Sequence, residues 1–381
     1  MSTGTTHSVS PPDPVWLFPE SPPQVRDSDT VGAVLRLVEA TLDDLSRQWH
    51  SLASAIVPRP GVLHTDSILA LVTGFTGTTG KLLRPRMAHW GWAAAGGLDH
   101  GQGHDDLVRL GAALELLHCF ALVHDDVMDA SDTRRGHPSV HALARAEHVE
   151  LGGLGDPQRY AENIAILVGD LLHSEADLLA AGLPKPMLEV WRTMSIELMM
   201  GQGRDLVGAA NGRRDLQHAQ EVARAKSGAY TVWRPLQLGA LAGGAGPELL
   251  AALRDYGYYA GQAFALRDDI LGVLGDPSRT GKPVGDDIVA GKPTVLLALA
   301  EQRFSPAWRL ELRRIAAGPA TADDVAQVCA ELERSGVIRE VEQMISAAVL
   351  AAEQALASPP VDPRAADGLR EILARLAWRD S

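Results

Sequence analysis

The chain is short of lysine, cysteine, β-type alternation and membrane-length apolar runs. Only five of its 35 basic residues are lysine: Lys81, Lys185, Lys226, Lys282 and Lys292. The basic residues are outnumbered by 48 acidic ones, for a formal net charge of −13. A nucleic-acid-binding surface ordinarily carries a basic surplus, so no nucleic-acid partner is expected. Two cysteines, Cys119 and Cys329, exclude a disulfide framework and point to a reducing cytoplasm. No apolar run approaches the ~18 residues needed to cross a bilayer, so no membrane span is expected. A charged n-region followed by an apolar stretch is missing at the N-terminus, so no signal peptide is expected either.

Helical periodicity is abundant. Residues 1–28 are rich in Pro, Ser and Thr without apolar period and read as a flexible arm. From residue 29 onward, segments 31–49, 106–129, 161–182 and 248–275 repeat apolar residues at three and four, with much Ala and Leu. Gly/Pro/Asp clusters near 96–104, 151–158, 182–186, 243–247 and 275–287 read as connections. The pattern predicts an all-α fold, a large helical bundle forming a single domain over 29–381, with 306–381 allowed as a helical appendage.

Charge is concentrated in HDDVMDASDTRR, residues 124–135, directly after the apolar run LELLHCFALV. Asp125 and Asp129 are four apart and share a helix face with Leu122, His118 and Leu114. Carboxylates at a helix C-terminus oppose the macrodipole, so a bare surface end is a poor home for them. Paired carboxylates on one face suit Mg²⁺, which takes oxygen ligands and often bridges to substrate phosphates. Arg134 and Arg135 follow at once; guanidinium groups supply paired donors to phosphate oxygens. The plainer alternative is an intrachain salt-bridge set.

The theme repeats in FALRDDILGVLGD, residues 264–276, where Asp268 and Asp269 end an apolar helical run. Lysines gather nearby. Lys282 and Lys292 lie in the glycine-rich TGKPVGDDIVAGKPT, Lys81 and Arg84 in GTTGKLLRP, and Lys226 in AKSGAY, whereas Lys185 sits in the ordinary loop LPKP. Where lysine survives a strong arginine bias, a compact point charge is wanted rather than a planar fork. Two acidic clusters facing across a helical cavity rimmed by cations describe a diphosphate site with bridging metals.

Taken in order, these motifs resemble those of the trans-isoprenyl diphosphate synthase, or polyprenyl synthetase, family. GTTGKLLRP is similar to the family's GGKRxRP, and LHCFALVHDDVMDASDTRRG to its first aspartate-rich motif. LVGDLL (167–172) and GQGRDL (201–206) are similar to its GD and GQxxDL signatures, KSGAY to its KT motif, and FALRDD with GKPVGDD and GKPT to its second aspartate-rich region. The resemblance implies an isoprenoid-synthase bundle around a deep central cavity, a homodimer, and head-to-tail joining of isopentenyl diphosphate to an allylic diphosphate. It implies that Asp125, Asp129 and Asp268 hold three Mg²⁺ ions on the allylic diphosphate. Arg134, Lys226 and Lys282 would complete that cage, with Lys292 nearby. Lys81, Arg84, His118 and Arg135 would hold isopentenyl diphosphate. Departures from the family pattern are Thr79 and Leu82 in the first motif, Ser227 for the threonine of KT, Ala265 for the glutamine of FQ, and Gly272 at a third acidic position. The resemblance places Ala265 where a polar contact to the allylic end would otherwise stand.

Residues four and five before the first aspartate, Ala121 and Phe120, resemble those of synthases making the twenty-carbon geranylgeranyl diphosphate. At 100° per residue Ala121 lies nearly under Asp125, and Phe120 lies to one side about 7.5 Å below it. Competing readings are a farnesyl diphosphate synthase and a non-catalytic partner subunit of a prenyl synthase. A class I terpene cyclase would lack the Lys81/Arg84 segment. A phosphohydrolase built on His124 and Asp125 would leave the second acidic cluster unexplained.

Overall fold

The computed structural model describes residues 26–53, 61–77, 80–134, 136–276, 284–357 and 360–379. The expected N-terminal arm lies outside these apart from its last residues, and Ser28 already opens the first helix. That helix, α1 (Ser28–Ala53), buries Val34, Val38, Leu42 and Leu45 along one stripe. It is followed by α2 (Asp66–Thr76), α3 (Leu83–Ala94), a single turn α4 (Gly97–His100) and α5 (His104–Met128). The four helices α6 (Val140–Glu150), α7 (Pro157–Ala180), α8 (Lys185–Ala210) and α9 (Leu216–Val222) come next. An eleven-residue π-helix, Ala223–Trp233, then runs directly into α10 (Arg234–Ala242). The chain continues through α11 (Pro247–Leu274), one-turn α12 (Asp286–Val289), α13 (Val295–Arg303), α14 (Pro306–Ala317), α15 (Ala322–Arg334), α16 (Val337–Leu356) and α17 (Pro363–Ala377). Among the described residues the only strands are Thr133–Arg134 and His137–Pro138, a minimal antiparallel pair.

Helix starts follow the local sequence. Asp156, Asp215, Thr294, Ser305 and Asp362 each accept a backbone N–H at the first turn that follows them. Thr321 and Asp324 form a reciprocal capping box. Pro157, Pro306 and Pro363 stand at the first helical turn, where the missing N–H costs nothing.

At the centre lies α5, apolar over most of its surface, with Leu107 and every residue from Leu110 to Leu117 buried. By length and composition it is the one described helix able to cross a membrane, with a mean hydropathy of 1.5 over its most apolar window. This corrects the expectation that no apolar stretch reaches that length. More than half of that window, 56%, is buried among the other helices. Its neighbour α7 presents Ala161, Ala165, Val168, Leu172, Ala176 and Ala180, a stripe whose small residues let two helices lie close.

Two apolar clusters form the core, one around α5 and one around α13, α15 and α16. Helix α11 serves both: Leu253, Tyr256, Ala260 and Phe264 belong to the first, and Ala263, Leu266, Ile270 and Val273 to the second. Helices α16 and α17 pack against the rest of the bundle. α16 runs along α11, and α17 packs on α3 and α11, where the Tyr256 hydroxyl donates to the Leu369 carbonyl at 2.8 Å.

Candidate active site

Segments far apart in the chain converge on one cavity of about 700 Å³, among them the start of α3, the end of α5, the middle of α8, α9 with the π-helix, α11, and residues 287–294. Gly80, Lys81 and Arg84 enter from the turn into α3, whose N-cap Leu82 adopts the left-handed conformation (φ 50°). Such a conformation in a branched residue costs about 1–3 kcal/mol, and the turn it makes leaves Lys81 exposed at the cavity rim. Arg84 is buried; one of its amino groups donates to the Thr231 hydroxyl at 2.8 Å, and its guanidinium lies 4.2 Å from the centre of the Tyr230 ring. Burial pushes the Tyr230 hydroxyl up to about 12, against the opposing pull of Arg84.

From α5, Asp125, Leu122, Ala121, His118 and Glu115 line the cavity, an acid separated by the apolar Leu122 and Ala121 from the polar His118 and Glu115. Asp125 receives Lys226 Nζ at 3.1 Å, Gln202 Nε2 at 3.3 Å and an Arg134 amino group at 3.5 Å. Burial alone would raise its pKa. Lys226, Lys292 and Arg134 outweigh that and hold the carboxyl well below the usual range. Lys226 also donates to Asp205 of α8 at 2.6 Å, and its ammonium is kept charged against burial by Asp125 and Asp205. Arg134 lays its fork chiefly on the buried Asp126, at 2.5 to 3.0 Å. Asp129, the C-cap of α5, pairs with Lys292 at 2.6 Å.

Lys292 ties the two acidic regions together, since its ammonium also stands 3.6 Å from Asp287. Burial works against its charge, while Asp287 and Asp129 raise its pKa strongly. In the second cluster both aspartates line the cavity, with different partners. Asp268 lines the cavity and pairs with Arg379 near the C-terminus. Asp269 is buried and accepts the first N–H groups of α13, from Val295 at 2.7 Å and Leu296 at 3.3 Å. Burial, followed by the nearby Asp287, drives its pKa well up. A side chain at Gly272 would meet the Asp287 carboxylate at 2.0 Å. Asp287 thus fills the space that an acid at 272 would need.

The π-helix brings Ala223, Lys226, Ser227, Tyr230 and Thr231 to the cavity together. Such wide turns are rare and frequently mark functional sites. Here Gly228 and Gly261 let the π-helix and α11 approach until a Cβ on Gly261 would stand 2.9 Å from the Gly228 backbone.

Of the residues singled out from sequence, Lys81, Arg84, His118, Ala121, Asp125, Arg134, Lys226, Asp268 and Lys292 line this cavity, and Asp129 joins it through Lys292. Arg135, Lys282 and Thr79 lie outside the described residues. Phe120 is not among the lining residues. Its buried ring fits the seam between α5 and α7, 4.7 Å from the His124 ring and 4.6 Å from the His173 ring. Ala265 likewise faces a second cavity of about 680 Å³ between α8, the π-helix and α11, so a longer side chain there would point away from the diphosphate site. Sequence reasoning missed Gln202, Asp205, Asp287, Thr231 and Arg379. Gln202 and Asp205 had a local signal in the GQGRDL stretch, and Asp287 one in GKPVGDD; Thr231 and Arg379 had none.

An all-α fold with carboxylates and cations of opposite helices facing across one cavity, above apolar walls, defines an enzyme that handles a diphosphate on a hydrocarbon. The family model described as polyprenyl synthetase matches residues 66–332. A geranylgeranyl diphosphate synthase of Mycobacterium tuberculosis is 33% identical over 293 residues, 74% of this chain and 77% of that one. A geranylfarnesyl diphosphate synthase of Aeropyrum pernix is 31% identical over 310 residues, 79% and 90% of the two chains. Among solved structures, geranylgeranyl pyrophosphate synthase from Corynebacterium glutamicum, complexed with isoprenyl diphosphate and magnesium, superposes with a TM-score of 0.82 at 35% identity, covering 90% of this chain and 98% of that one. The chain belongs to the polyprenyl synthetase family, and it is a trans-prenyltransferase.

Proposed function

We propose that this enzyme joins isopentenyl diphosphate head-to-tail to an allylic diphosphate and that its product is the twenty-carbon geranylgeranyl diphosphate. The carrying observation is the single cavity in which Asp125 and Asp268 face Lys226, Lys292 and Arg134 above the apolar Ala121, Leu122, Leu198 and Phe264. Asp125, Asp129 and Asp268 are carboxylates of the kind Mg²⁺ takes. Among the described residues no three such side chains are already grouped to hold an ion, so the reading rests on their chemistry and on the bound-magnesium relative. In our reading these residues hold three Mg²⁺ ions. Bound there, the metal neutralises the allylic diphosphate as its C–O bond breaks.

Arg134, Lys226 and Lys282, with Lys292 beside them, stabilise the charge that develops on the leaving diphosphate. Lys81, Arg84, His118 and Arg135 hold isopentenyl diphosphate so that its double bond faces the allylic carbon. The apolar wall below Asp125 keeps water from the cation. The isopentenyl double bond attacks the allylic cation to form the new C–C bond and the released diphosphate then takes the proton, so neither a protein nucleophile nor a protein base is required.

Identity near 30% does not decide product length, because relatives at that level carry both twenty- and twenty-five-carbon names. Length rests here on Ala121, which leaves room under Asp125, and on Phe120, which plugs the α5–α7 seam behind it. The test is an assay of purified enzyme with isopentenyl diphosphate, Mg²⁺ and dimethylallyl, geranyl or farnesyl diphosphate, sized by mass spectrometry. A twenty-carbon product from each primer is expected; a fifteen-carbon stop overturns the length, and no elongation overturns the activity. Phe120→Ala is expected to shift the main product to twenty-five carbons or more. An unchanged product profile would remove Phe120 from length control.

We further read residues 29–381 as one folding unit, because α11 serves both core clusters, and the buried cysteines, neither in a disulfide, as suited to a reducing cytoplasm. A homodimer is supported by an exposed apolar stripe. Ile196, Met199, Met200, Leu206 and Val207 recur along one face of α8, with Ile166 and Leu167 exposed on α7. Replacing Met199 and Val207 together by glutamate is expected to yield a monomer in sedimentation velocity. A dimer that persists would place the interface elsewhere.

A further inference from the structure

The C-terminus reaches the metal-binding end of the cavity. Arg267, one residue before Asp268, is buried; its Nε donates to the Ala377 carbonyl at 2.6 Å. Its two amino groups grip Glu342 of α16 at 2.8 Å each, and its guanidinium lies 5.5 Å from the Trp378 ring centre. These contacts anchor the last residues of α17 beside the second acidic cluster. The next residue, Arg379, enters the cavity, pairs with Asp268 and lies 4.3 Å from the centre of the Phe264 ring. Its Nε is buried without a hydrogen-bond partner.

The origin of this cation sets it apart. Asp125 and Asp129 are neutralised by Lys226 and Lys292, both inside the family match at 66–332, whereas Asp268 is neutralised from beyond it. A divalent ion at Asp268 would compete with the Arg379 guanidinium, which pairs with Oδ1, for the charge of the same carboxylate. An arginine released there still faces a cavity built for diphosphate, with an unsatisfied donor to offer.

We propose that Arg379 is the resident counter-ion of Asp268, displaced when a divalent metal binds and then donated to the diphosphate. The C-terminus is thereby a further diphosphate-binding element, and metal and diphosphate binding are coupled through it. This rests on the prenyltransferase reading of the cavity.

The test uses the full chain with Mn²⁺ as probe, followed by electron paramagnetic resonance of free Mn²⁺, and inorganic diphosphate followed by calorimetry. Without diphosphate, Arg379→Ala is expected to bind Mn²⁺ roughly fivefold more tightly than the unaltered chain, because the competing cation is gone. With Mn²⁺ saturating, it is expected to bind diphosphate roughly fivefold more weakly. Arg379→Lys keeps a charge on a longer-range point donor and is expected to fall between the two in both measurements. Unchanged Mn²⁺ affinity in Arg379→Ala overturns the counter-ion role. Unchanged diphosphate affinity overturns the transfer. An unaltered chain that binds neither Mn²⁺ nor diphosphate defeats the cavity reading itself, and this inference with it.

Discussion

Asp125→Asn is expected to lower kcat/KM about a thousandfold while the enzyme still folds. The amide keeps the shape of the side chain and removes its charge. Asp125 stands where Lys226, Arg134 and Gln202 meet, at the top of the apolar wall of α5. Its carboxyl stays ionised because the cations outweigh its burial. Stability drawn from that charge is present above the unfolded pKa of ~3.9 and fades as pH falls through the lower folded value. At neutral pH the substitution removes this contribution, but neither cation is stranded. Lys226 retains Asp205 and Arg134 retains Asp126, so the stability cost should be only about 1 kcal/mol. Steady-state kinetics beside a thermal melt separate the two effects. A loss of less than tenfold would remove Asp125 from the metal site, and a collapsed melt would make its role structural.

Gly239→Val is expected to cost at least about 3 kcal/mol, or to prevent folding. α3 and α10 cross backbone to backbone. A Cβ on Gly239 would stand 1.8 Å from the Ala88 carbonyl oxygen, and one on Gly91 would stand 2.0 Å from the Leu236 carbonyl oxygen. Neither obstacle is a side chain that can swing away. The crossing joins the two halves of the cavity, because α3 begins just after Lys81 and α10 continues the π-helix that carries Lys226. Thermal unfolding with Gly246→Ala as control checks this, since a Cβ on Gly246 meets nothing within 4 Å. A melt of Gly239→Val that coincides with the control would show that the helices can part at little cost.

Much of this architecture was legible beforehand for identifiable reasons. A helix buries a stripe at 3.6-residue spacing, so α1, α5, α7 and α11 announce themselves in Ala- and Leu-rich periodicity. The first acidic cluster was readable because Asp125 and Asp129 come from one helix end, where local geometry alone puts them together. The second was only half readable. Adjacent aspartates point about 100° apart on a helix, and nothing local says that Asp268 pairs with Arg379 while Asp269, also at the cavity, accepts the first N–H groups of α13. The same angular limit explains Phe120 and Ala265, each next to a lining residue and each facing a different neighbour.

The sequence by itself determined the helical class, the order of the motifs and the charge types needed to hold a diphosphate. These depend on residue identity and short-range spacing. Tertiary structure alone decided that Asp205 shares Lys226 with Asp125, that Asp287 occupies the space over Gly272, that eleven residues widen into a π-helix where Gly228 meets Gly261, and that Arg379 returns to Asp268. Each joins groups brought together by packing, across 21 residues for Asp205 and Lys226 and 111 for Asp268 and Arg379. Side-chain periodicity carries no information about such meetings until the helices are docked.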